Sequence, residues 1–146
     1  MERFKIVPAC YLMLVKDGKM LLSRRFNTGY EDGNYSFVAG HLNGSETFRQ
    51  AMAREAKEEA GIVIDPEKLK IIHVMHRAQE DSTGERVDIL MTIAEWVGEI
   101  KNNEPEKCDD LSWFLIDEIP DNVVPFLKQA INCVNKGIFY SEFGFV

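Results

Sequence analysis

The sequence has 146 residues, of which 45% are hydrophobic and 28% charged, and this composition predicts one globular domain over residues 1–146. The net charge of -7 disfavours binding to a nucleic acid polymer or to an anionic membrane, because such surfaces need clustered lysine and arginine. We find no apolar run of about 18 residues and no signal-peptide pattern. The three cysteines lack metal-ligand spacing, so a cytoplasmic protein with reduced thiols is expected.

The first predicted element is a β-hairpin. Residues from about 6 to 15 are mostly apolar, Asp17 and Gly18 form a strong two-residue turn signal, and KMLLSRR returns as the second strand. The following segment, FNTGYEDGNYSF, is rich in Gly, Asn and Asp and is therefore predicted to be an exposed loop. It leads to a short strand around residues 35 to 39.

A helix is predicted over residues 48–60. Thr47 is a suitable N-cap, and Gln50 three residues later completes the spacing of a capping box. Gly61 stands where helices commonly end with a residue in the left-handed conformation. The sequence therefore indicates both ends of this helix.

Two carboxylates lie on the apolar side of this predicted helix. On a helical wheel, Glu55 and Glu59 each fall roughly 20° from Phe48, and Glu58 is at the margin of the same arc. Two such charges four residues apart repel by roughly 3 kcal/mol at an effective dielectric constant near 20. Either these groups are protonated or cations lie among them, and a cluster of oxygen ligands suits Mg²⁺ or Mn²⁺. The alternative interpretation is a solvated acidic face.

The second half of the sequence predicts a further hairpin, a strand and a helix. The segments LKIIHVMHRAQ and RVDILMTIAEWVG are separated by the turn-like EDSTGE, and LSWFLIDEI is another strand. Helical periodicity follows in PDNVVPFLKQAINCVNKG, with Pro125 in the first turn. The aromatic C-terminal segment GIFYSEFGFV is expected to dock on its own domain, and a homodimer contact is the alternative. Together these elements predict an α/β domain with a mixed sheet between helices.

The segment from Gly40 to Ile62 resembles the signature of the Nudix hydrolase family. That signature is Gly, five residues, Glu, seven residues, and then Arg-Glu-aliphatic-any-Glu-Glu-any-Gly-aliphatic. Two departures occur, since His41 replaces a frequent second glycine and Ala56 is smaller than the usual aliphatic residue, but neither removes a carboxylate. The seven fixed places are filled by Gly40, Glu46, Arg54, Glu55, Glu58, Glu59 and Gly61.

This resemblance implies the family's fold, a Nudix-type α/β/α sandwich around a mixed β-sheet. It also implies the family's reaction, attack of water on a phosphorus of a diphosphate linked to another group, with Mg²⁺ or Mn²⁺ as cofactor. Arg54 would orient Glu55, which is a ligand or the general base; Glu46 would tie the loop to the helix, and Gly61 is structural. The implied metal ligands are Glu55, Glu58, Glu59 and the carbonyl of Gly40, and the implied catalytic residues are Arg54, Glu55 and Glu58.

Resemblance to the MutT-like branch implies further site residues. That branch takes another acidic ligand from a loop after the long sheet strand, for which Glu104 is expected and Glu106 is the substitute; a solvated acidic loop is the alternative. An arginine at the end of the second strand would contact phosphate, because a guanidinium fork fits phosphate oxygens. Arg24 and Arg25 are the candidates, and we favour Arg25. The residues expected to contact the base are Tyr35, Trp113 and Asn122, and the further aromatic candidates for stacking are Tyr30, Phe37 and Phe126.

The leading hypothesis is hydrolysis of a nucleoside triphosphate, a small-molecule substrate, to the monophosphate and pyrophosphate. Alternatives with the same chemistry are a dinucleoside polyphosphate, ADP-ribose or a nucleotide sugar. A nucleotide-sensing module without turnover and a structural domain with a solvated acidic helix are alternatives of other classes. Retention of Glu55, Glu58 and Glu59 argues against the sensing module, because a binding protein has no need of every carboxylate.

Overall fold

The computed structural model describes residues 1–146 and contains two β-sheets and two α-helices. Two short 3₁₀ helices span Pro66–Lys68 and Ile116–Glu118. The principal elements in chain order are β1 (Val7–Leu12), β2 (Val15–Lys16), β3 (Lys19–Arg25), β4 (Tyr35–Ser36), β5 (Val38–His41), α1 (Phe48–Ala60), β6 (Lys70–Arg77), β7 (Arg86–Thr92), β8 (Cys108–Leu115), α2 (Pro125–Asn135) and β9 (Tyr140–Phe143).

The five-stranded sheet has the order β5-β1-β7-β6-β9 and is mixed. Strand β1 is parallel to β7 and β9 is parallel to β6, whereas β1 with β5 and β6 with β7 are antiparallel pairs. Alternate side chains of β1 point to opposite faces: Tyr11 packs in the core that contains α2 residues, and Leu12 packs in the core that contains α1 residues. The expected α/β/α sandwich around a mixed sheet is therefore confirmed.

A second sheet of four strands has the order β2-β3-β4, with β8 also paired to β3. The predicted turn joins β2 to β3, with φ of 54° at Asp17 and 74° at Gly18, as a tight hairpin turn of the primed type requires. The predicted first strand over residues 6 to 15 is interrupted. Met13 and Leu14 are both buried where the chain leaves the five-stranded sheet for the second sheet. Phe37 marks the return crossing between β4 and β5.

Both predicted helices form with the expected ends. Thr47 and Gln50 make the reciprocal hydrogen bonds of a capping box, and Gly61 adopts the left-handed conformation with φ 70°. Pro125 occupies the first turn of α2, where its missing N–H has no partner to lose. None of the helices has the length and apolar character needed to cross a membrane.

The C-terminal segment docks on its own chain, as predicted. Strand β9 adds to the edge of β6 in parallel register, with Val74 opposite Tyr140 and Arg77 opposite Phe143. His73 is fully buried beneath this junction, and its ring nitrogens contact the carbonyl of Ile138 at 2.9 Å and the hydroxyl of Ser141 at 2.8 Å. The predicted hairpin β6–β7 is also confirmed.

Candidate active site

A cleft of about 540 Å³ brings helix α1 together with both sheets. The end of β5 contributes Gly40, and the loop before β8 contributes Glu104. Four carboxylates, which come from positions 55, 58, 59 and 104, line the same space. The chain therefore concentrates acidic oxygen atoms in one cavity, although the sequence separates these residues by up to 49 positions.

The carboxylates differ strongly in their surroundings. The side chain of Glu55 is 14% exposed, whereas that of Glu58 is 50% exposed. Glu59 accepts a hydrogen bond of 3.4 Å from the backbone N–H of Ala39. Burial, and then the neighbouring Glu55, raise the pKa of Glu59 well above its usual range. The acidic groups on the inner side of α1 are therefore costly to ionise together, as the helical wheel predicts.

Arg54 connects the helix to the loop that precedes it. Its guanidinium lies 2.7 Å from Glu55, 2.9 Å from Glu46 and 3.5 Å from Glu58, and it also donates to the carbonyl of His41 at 3.2 Å. Glu46 in turn accepts a 2.8 Å hydrogen bond from the backbone N–H of Asn43. The Arg54 hydrogen bond, followed by the Asn43 bond, lowers the pKa of Glu46. These are the contacts that the signature implies for the two residues.

Gly40 is required by close packing rather than by an unusual backbone angle. A Cβ atom at this position would lie 2.6 Å from Cγ of Glu55 and would overlap its carboxyl group. The side chain of Glu55 therefore rests directly on the backbone of β5. The carbonyl of Gly40 also accepts a hydrogen bond from the thiol of Cys10, with 3.5 Å between sulfur and oxygen.

Glu104 reaches the cleft from a tight turn. The carbonyl of Glu104 accepts from the backbone N–H groups of Lys107 and Cys108, both at 2.9 Å, and this turn directs the acidic loop towards α1. Partial burial is the main cause that raises the pKa of Glu104. Glu106, the substitute ligand, does not line the cleft. Lys107 does line it, and our sequence reasoning missed this cation because nothing in the local pattern distinguishes it from surface lysines.

The donor set of the cleft fits a hard divalent cation. Every candidate ligand is a carboxylate or a backbone carbonyl, which suits Mg²⁺ or Mn²⁺ better than zinc. No three acidic side chains already form a cluster of metal-binding size. Arg54 contacts both Glu55 and Glu58, and the half-exposed side chain of Glu58 has room to turn inward. A cation held by three of these carboxylates would require some of their side chains to change orientation.

A smaller pocket of about 210 Å³ adjoins the cleft. The two cavities share the lining residues Tyr11, Arg25, Ser36 and His41, and so they are direct neighbours. We call the smaller one the adjoining pocket. It is the natural place for a second part of any ligand held in the cleft.

The floor of the adjoining pocket is an arginine stacked on an aromatic ring. The Arg77 guanidinium lies 3.7 Å from the ring centroid of Phe126 and pairs with the fully buried Asp88 at 2.7 Å. Tyr30 and Arg86 also line this pocket. The sequence carried a signal for one half of this network, because Asp88 interrupts the apolar run of β7, whereas Arg77 is simply the last residue of β6.

The predicted substrate-binding residues are not all near the cleft. Arg25 lines both cavities, and its side chain donates to the carbonyl of Tyr30 at 2.6 Å. Arg24 pairs with Asp109 at 2.7 Å and lies outside both cavities.

The remaining three predicted contacts also lie outside the two cavities. Tyr35 is buried and its hydroxyl contacts Asp110. Asn122 donates to the carbonyl of Gly33 at 2.8 Å. Trp113 lines a different groove. Of the two arginines, Tyr35, Trp113 and Asn122, only Arg25 lines the cleft. Among the further aromatic candidates, Phe37 lines the cleft, and Tyr30 and Phe126 line the adjoining pocket.

Comparison with known proteins gives a family and several relatives. The family model of the NUDIX domain matches residues 5–132. The NAD-capped RNA hydrolase NudC of Stutzerimonas stutzeri is 28% identical over 116 residues, which are 80% of this chain and 39% of that protein. An oxidized purine nucleoside triphosphate hydrolase of Danio rerio is 28% identical over 75% of this chain and 66% of its own length. An ADP-ribose pyrophosphatase of Methanocaldococcus jannaschii is 27% identical over 74% of this chain and 61% of its own length.

The chain spans about two fifths of the length of the NudC relatives that it matches. Among solved structures, a MutT NUDIX hydrolase from Burkholderia pseudomallei superposes with a TM-score of 0.80 at 23% identity. That match covers 88% of this chain and 98% of the other. At this identity the superposition supports the fold alone.

Proposed function

Because the chain belongs to the Nudix family, as the match over residues 5–132 shows, we propose that it hydrolyses a phosphoanhydride bond in a nucleoside diphosphate compound. The observation that carries this proposal is the cleft itself. Four carboxylates and the Gly40 backbone face a space of about 540 Å³, which is large enough for a polyphosphate with its cations. A structural domain with a solvated acidic helix would not need such a cavity.

Our leading substrate is a nucleoside triphosphate, cleaved to the monophosphate and pyrophosphate. The phosphates would occupy the acidic cleft and the nucleoside would extend into the adjoining pocket. Arg25 supports this arrangement because it lines both cavities and can present its guanidinium to phosphate oxygens. Tyr30 and Arg86 line the adjoining pocket with partly exposed side chains, and they would offer an aromatic and a cationic surface to a base.

The chain's own residues have distinct proposed tasks. Glu55, Glu58, Glu59, Glu104 and the Gly40 carbonyl would hold Mg²⁺ or Mn²⁺. When bound, such an ion neutralises phosphate oxygens and makes a coordinated water more acidic. Arg54 fixes the orientation of Glu55 through a 2.7 Å contact, and Glu46 fixes Arg54. A carboxylate beside the attacking water then accepts its proton, and Glu55 and Glu58 are the candidates for this base.

A second candidate substrate class is a nucleoside diphosphate joined to another group. The relatives support this alternative because the substrates in their names range over NAD-capped RNA, oxidized purine nucleoside triphosphates and ADP-ribose. The same cleft would serve both classes, since the reacting diphosphate is common to them. What differs is the group that lies beyond the phosphates.

Product analysis distinguishes these proposals. The protein is incubated with Mg²⁺ or Mn²⁺ and either nucleoside triphosphates, dinucleoside polyphosphates, ADP-ribose or nucleotide sugars, and the products are separated. Monophosphate with pyrophosphate supports the leading substrate, and turnover of conjugates alone supports the second class. Binding without turnover of any compound would contradict the hydrolase and favour a sensing module.

A further inference from the structure

A surface groove of about 430 Å³ lies apart from the candidate active site. It shares no lining residue with the cleft or the adjoining pocket. We call it the tryptophan groove, and its walls are Lys16, Asp17, Lys19, Trp96, Gly98, Glu99, Ile100 and Trp113. The proposed hydrolysis uses none of these residues.

The two tryptophans of the chain both face this groove. The rings of Trp96 and Trp113 are nearly parallel, with 19° between their planes and 6.3 Å between their centroids. Val97, the residue after Trp96, is 72% exposed and adds apolar surface next to Trp96 in the chain. Half-buried indole faces of this kind are stacking surfaces for planar rings such as nucleobases.

Two lysines lie beside the tryptophan rings, and their like charges repel each other. Lys16 and Lys19 are direct partners in the β2–β3 ladder, so their side chains leave the hairpin on the same face. The ammonium of Lys16 lies 5.6 Å from the ring centroid of Trp96. Neither lysine takes part in an ion pair. An anion placed between the two ammonium groups would relieve their repulsion.

The groove also contains two carboxylates, Asp17 and Glu99. Two positive and two negative groups make its formal charge zero, in a chain whose net charge is -7. A phosphate is therefore repelled less here than over most of the surface. The combination of aromatic faces and unpaired ammonium groups matches the chemistry of a nucleotide.

The β3–β8 ladder places the groove on the same sheet face as the cleft. Ser23 and its paired residue Leu111 line the cleft. The next pair on the same face, two residues further along the strands, is Leu21 and Trp113. Lys19 follows one step later. With roughly 3.3 Å per residue, the groove begins about 7 Å from the cleft and ends about 13 Å from it.

We infer that the tryptophan groove binds a nucleotide, whose base stacks on the indole rings and whose phosphate lies between Lys16 and Lys19. Two kinds of ligand would supply a nucleotide with this chemistry. It is either a free nucleotide or the distal nucleotide of a dinucleotide whose phosphates occupy the cleft. The dinucleotide source rests on the proposed function, whereas the free nucleotide does not.

Intrinsic tryptophan fluorescence tests the inference, because both reporters lie in the groove. Adenosine monophosphate is titrated into the full chain with a metal chelator present, and tryptophan emission is recorded. We expect saturable quenching at concentrations up to the millimolar range. The double variant Lys16→Gln/Lys19→Gln should weaken the apparent affinity by about tenfold or more. The matched control, Lys128→Gln, removes an exposed lysine of α2 and should leave the titration unchanged.

A second titration identifies the source of the nucleotide. A non-hydrolysable analogue of diadenosine tetraphosphate is added with Mg²⁺ to the unchanged chain, so that the proposed metal ligands stay in place and no cleavage occurs. Quenching at a concentration at least about tenfold lower than for the mononucleotide indicates a shared ligand, since the cleft adds binding energy. Equal concentrations indicate a free nucleotide.

The inference fails if neither compound quenches saturably, or if the lysine double variant binds as well as the unchanged chain. Both results are independent of turnover. An inactive enzyme that still shows lysine-dependent quenching would therefore contradict the proposed function and leave the groove intact.

Discussion

Glu59 has a different environment from the other carboxylates of the cleft. It lies on the inner face of α1 against the backbone of Ala39, and burial and Glu55 raise its pKa. A raised carboxyl pKa means that folding favours the protonated form, so ionisation costs stability as the pH rises through the folded-state pKa. Without a cation, this residue therefore opposes folding at neutral pH.

Glu59→Gln should separate activity from stability. We expect turnover to fall by about 100-fold or more, because each 1.4 kcal/mol of lost transition-state stabilisation is a factor of ten. The free energy of unfolding in a chelator should be unchanged or higher, because a neutral amide replaces a costly carboxylate. Steady-state kinetics and urea unfolding measure the two effects.

The control for this substitution is Glu67→Gln, which changes an exposed glutamate of the first 3₁₀ helix. It should leave turnover and unfolding unchanged. Near-normal turnover in Glu59→Gln would remove Glu59 from the proposed ligand set.

Gly40→Ala tests the close approach of β5 to α1. The added methyl group would overlap the carboxyl group of Glu55 and displace it from its contact with Arg54. We expect kcat to fall by at least about tenfold, as misplacement of a catalytic group by about 1 Å typically costs more than that. Circular dichroism should remain that of the unchanged chain. Unaltered kcat would show that Glu55 does not need its observed position.

At the scale of secondary structure, local sequence patterns predicted the elements whose ends carry their own signals. The capping box and Gly61 define α1, and Pro125 marks the start of α2. The predicted β6–β7 hairpin needs only neighbouring segments. Each of these features depends on residues within a few positions, so the sequence alone suffices.

Long-range pairing was harder to predict. Nothing local shows that the chain changes sheets at Met13 and Leu14, because a buried crossing and a buried strand are equally apolar. The same limit applies to the site. The carboxylates of α1 share a helix face, whereas the surroundings of Trp113 and Asn122 depend on which strands and loops meet them.

His73→Leu should loosen the C-terminal strand. The substitution leaves the carbonyl of Ile138 and the hydroxyl of Ser141 without their buried partner. We expect a loss of about 1–3 kcal/mol in the free energy of unfolding, the cost of unsatisfied buried polar groups. Hydrogen exchange at β9 should accelerate more than exchange at β1.

Ser141→Ala provides the comparison for His73→Leu, because it removes one of the two hydrogen bonds and preserves the imidazole. Its cost should be smaller, about 1 kcal/mol. Equal protection of β9 in the His73→Leu variant and the unchanged chain would show that strand pairing alone holds the segment.

For the molecule as a whole, repulsion between the carboxylates of the acidic cleft is a destabilising contribution. The chain carries a net charge of -7, and four of its carboxylates line one cavity. Mutual repulsion at this site is tolerated because the rest of the fold, with cores on both faces of the five-stranded sheet, supplies the stability.

Divalent cations should therefore stabilise the protein against unfolding. If Mg²⁺ or Mn²⁺ binds the folded cleft, a concentration of 100 times Kd adds about 2.7 kcal/mol to the free energy of unfolding. Differential scanning calorimetry should show a rise in Tm that saturates with the metal and reverses with a chelator. Sodium chloride at equal ionic strength is the control. An unchanged Tm at millimolar Mg²⁺ and Mn²⁺ would contradict a metal site in the cleft.

The chain passes between the two sheets at Met13–Leu14 and at Phe37, and this affects the range of ligand sizes that the cleft can hold. One wall of the cavity, with Ser23 and Arg25, belongs to the smaller sheet, while Gly40 and α1 belong to the larger layer. A small rotation between these layers would widen or narrow the entrance without separating Glu55 from Gly40. The width of the entrance can therefore change while the contact between α1 and β5 is preserved.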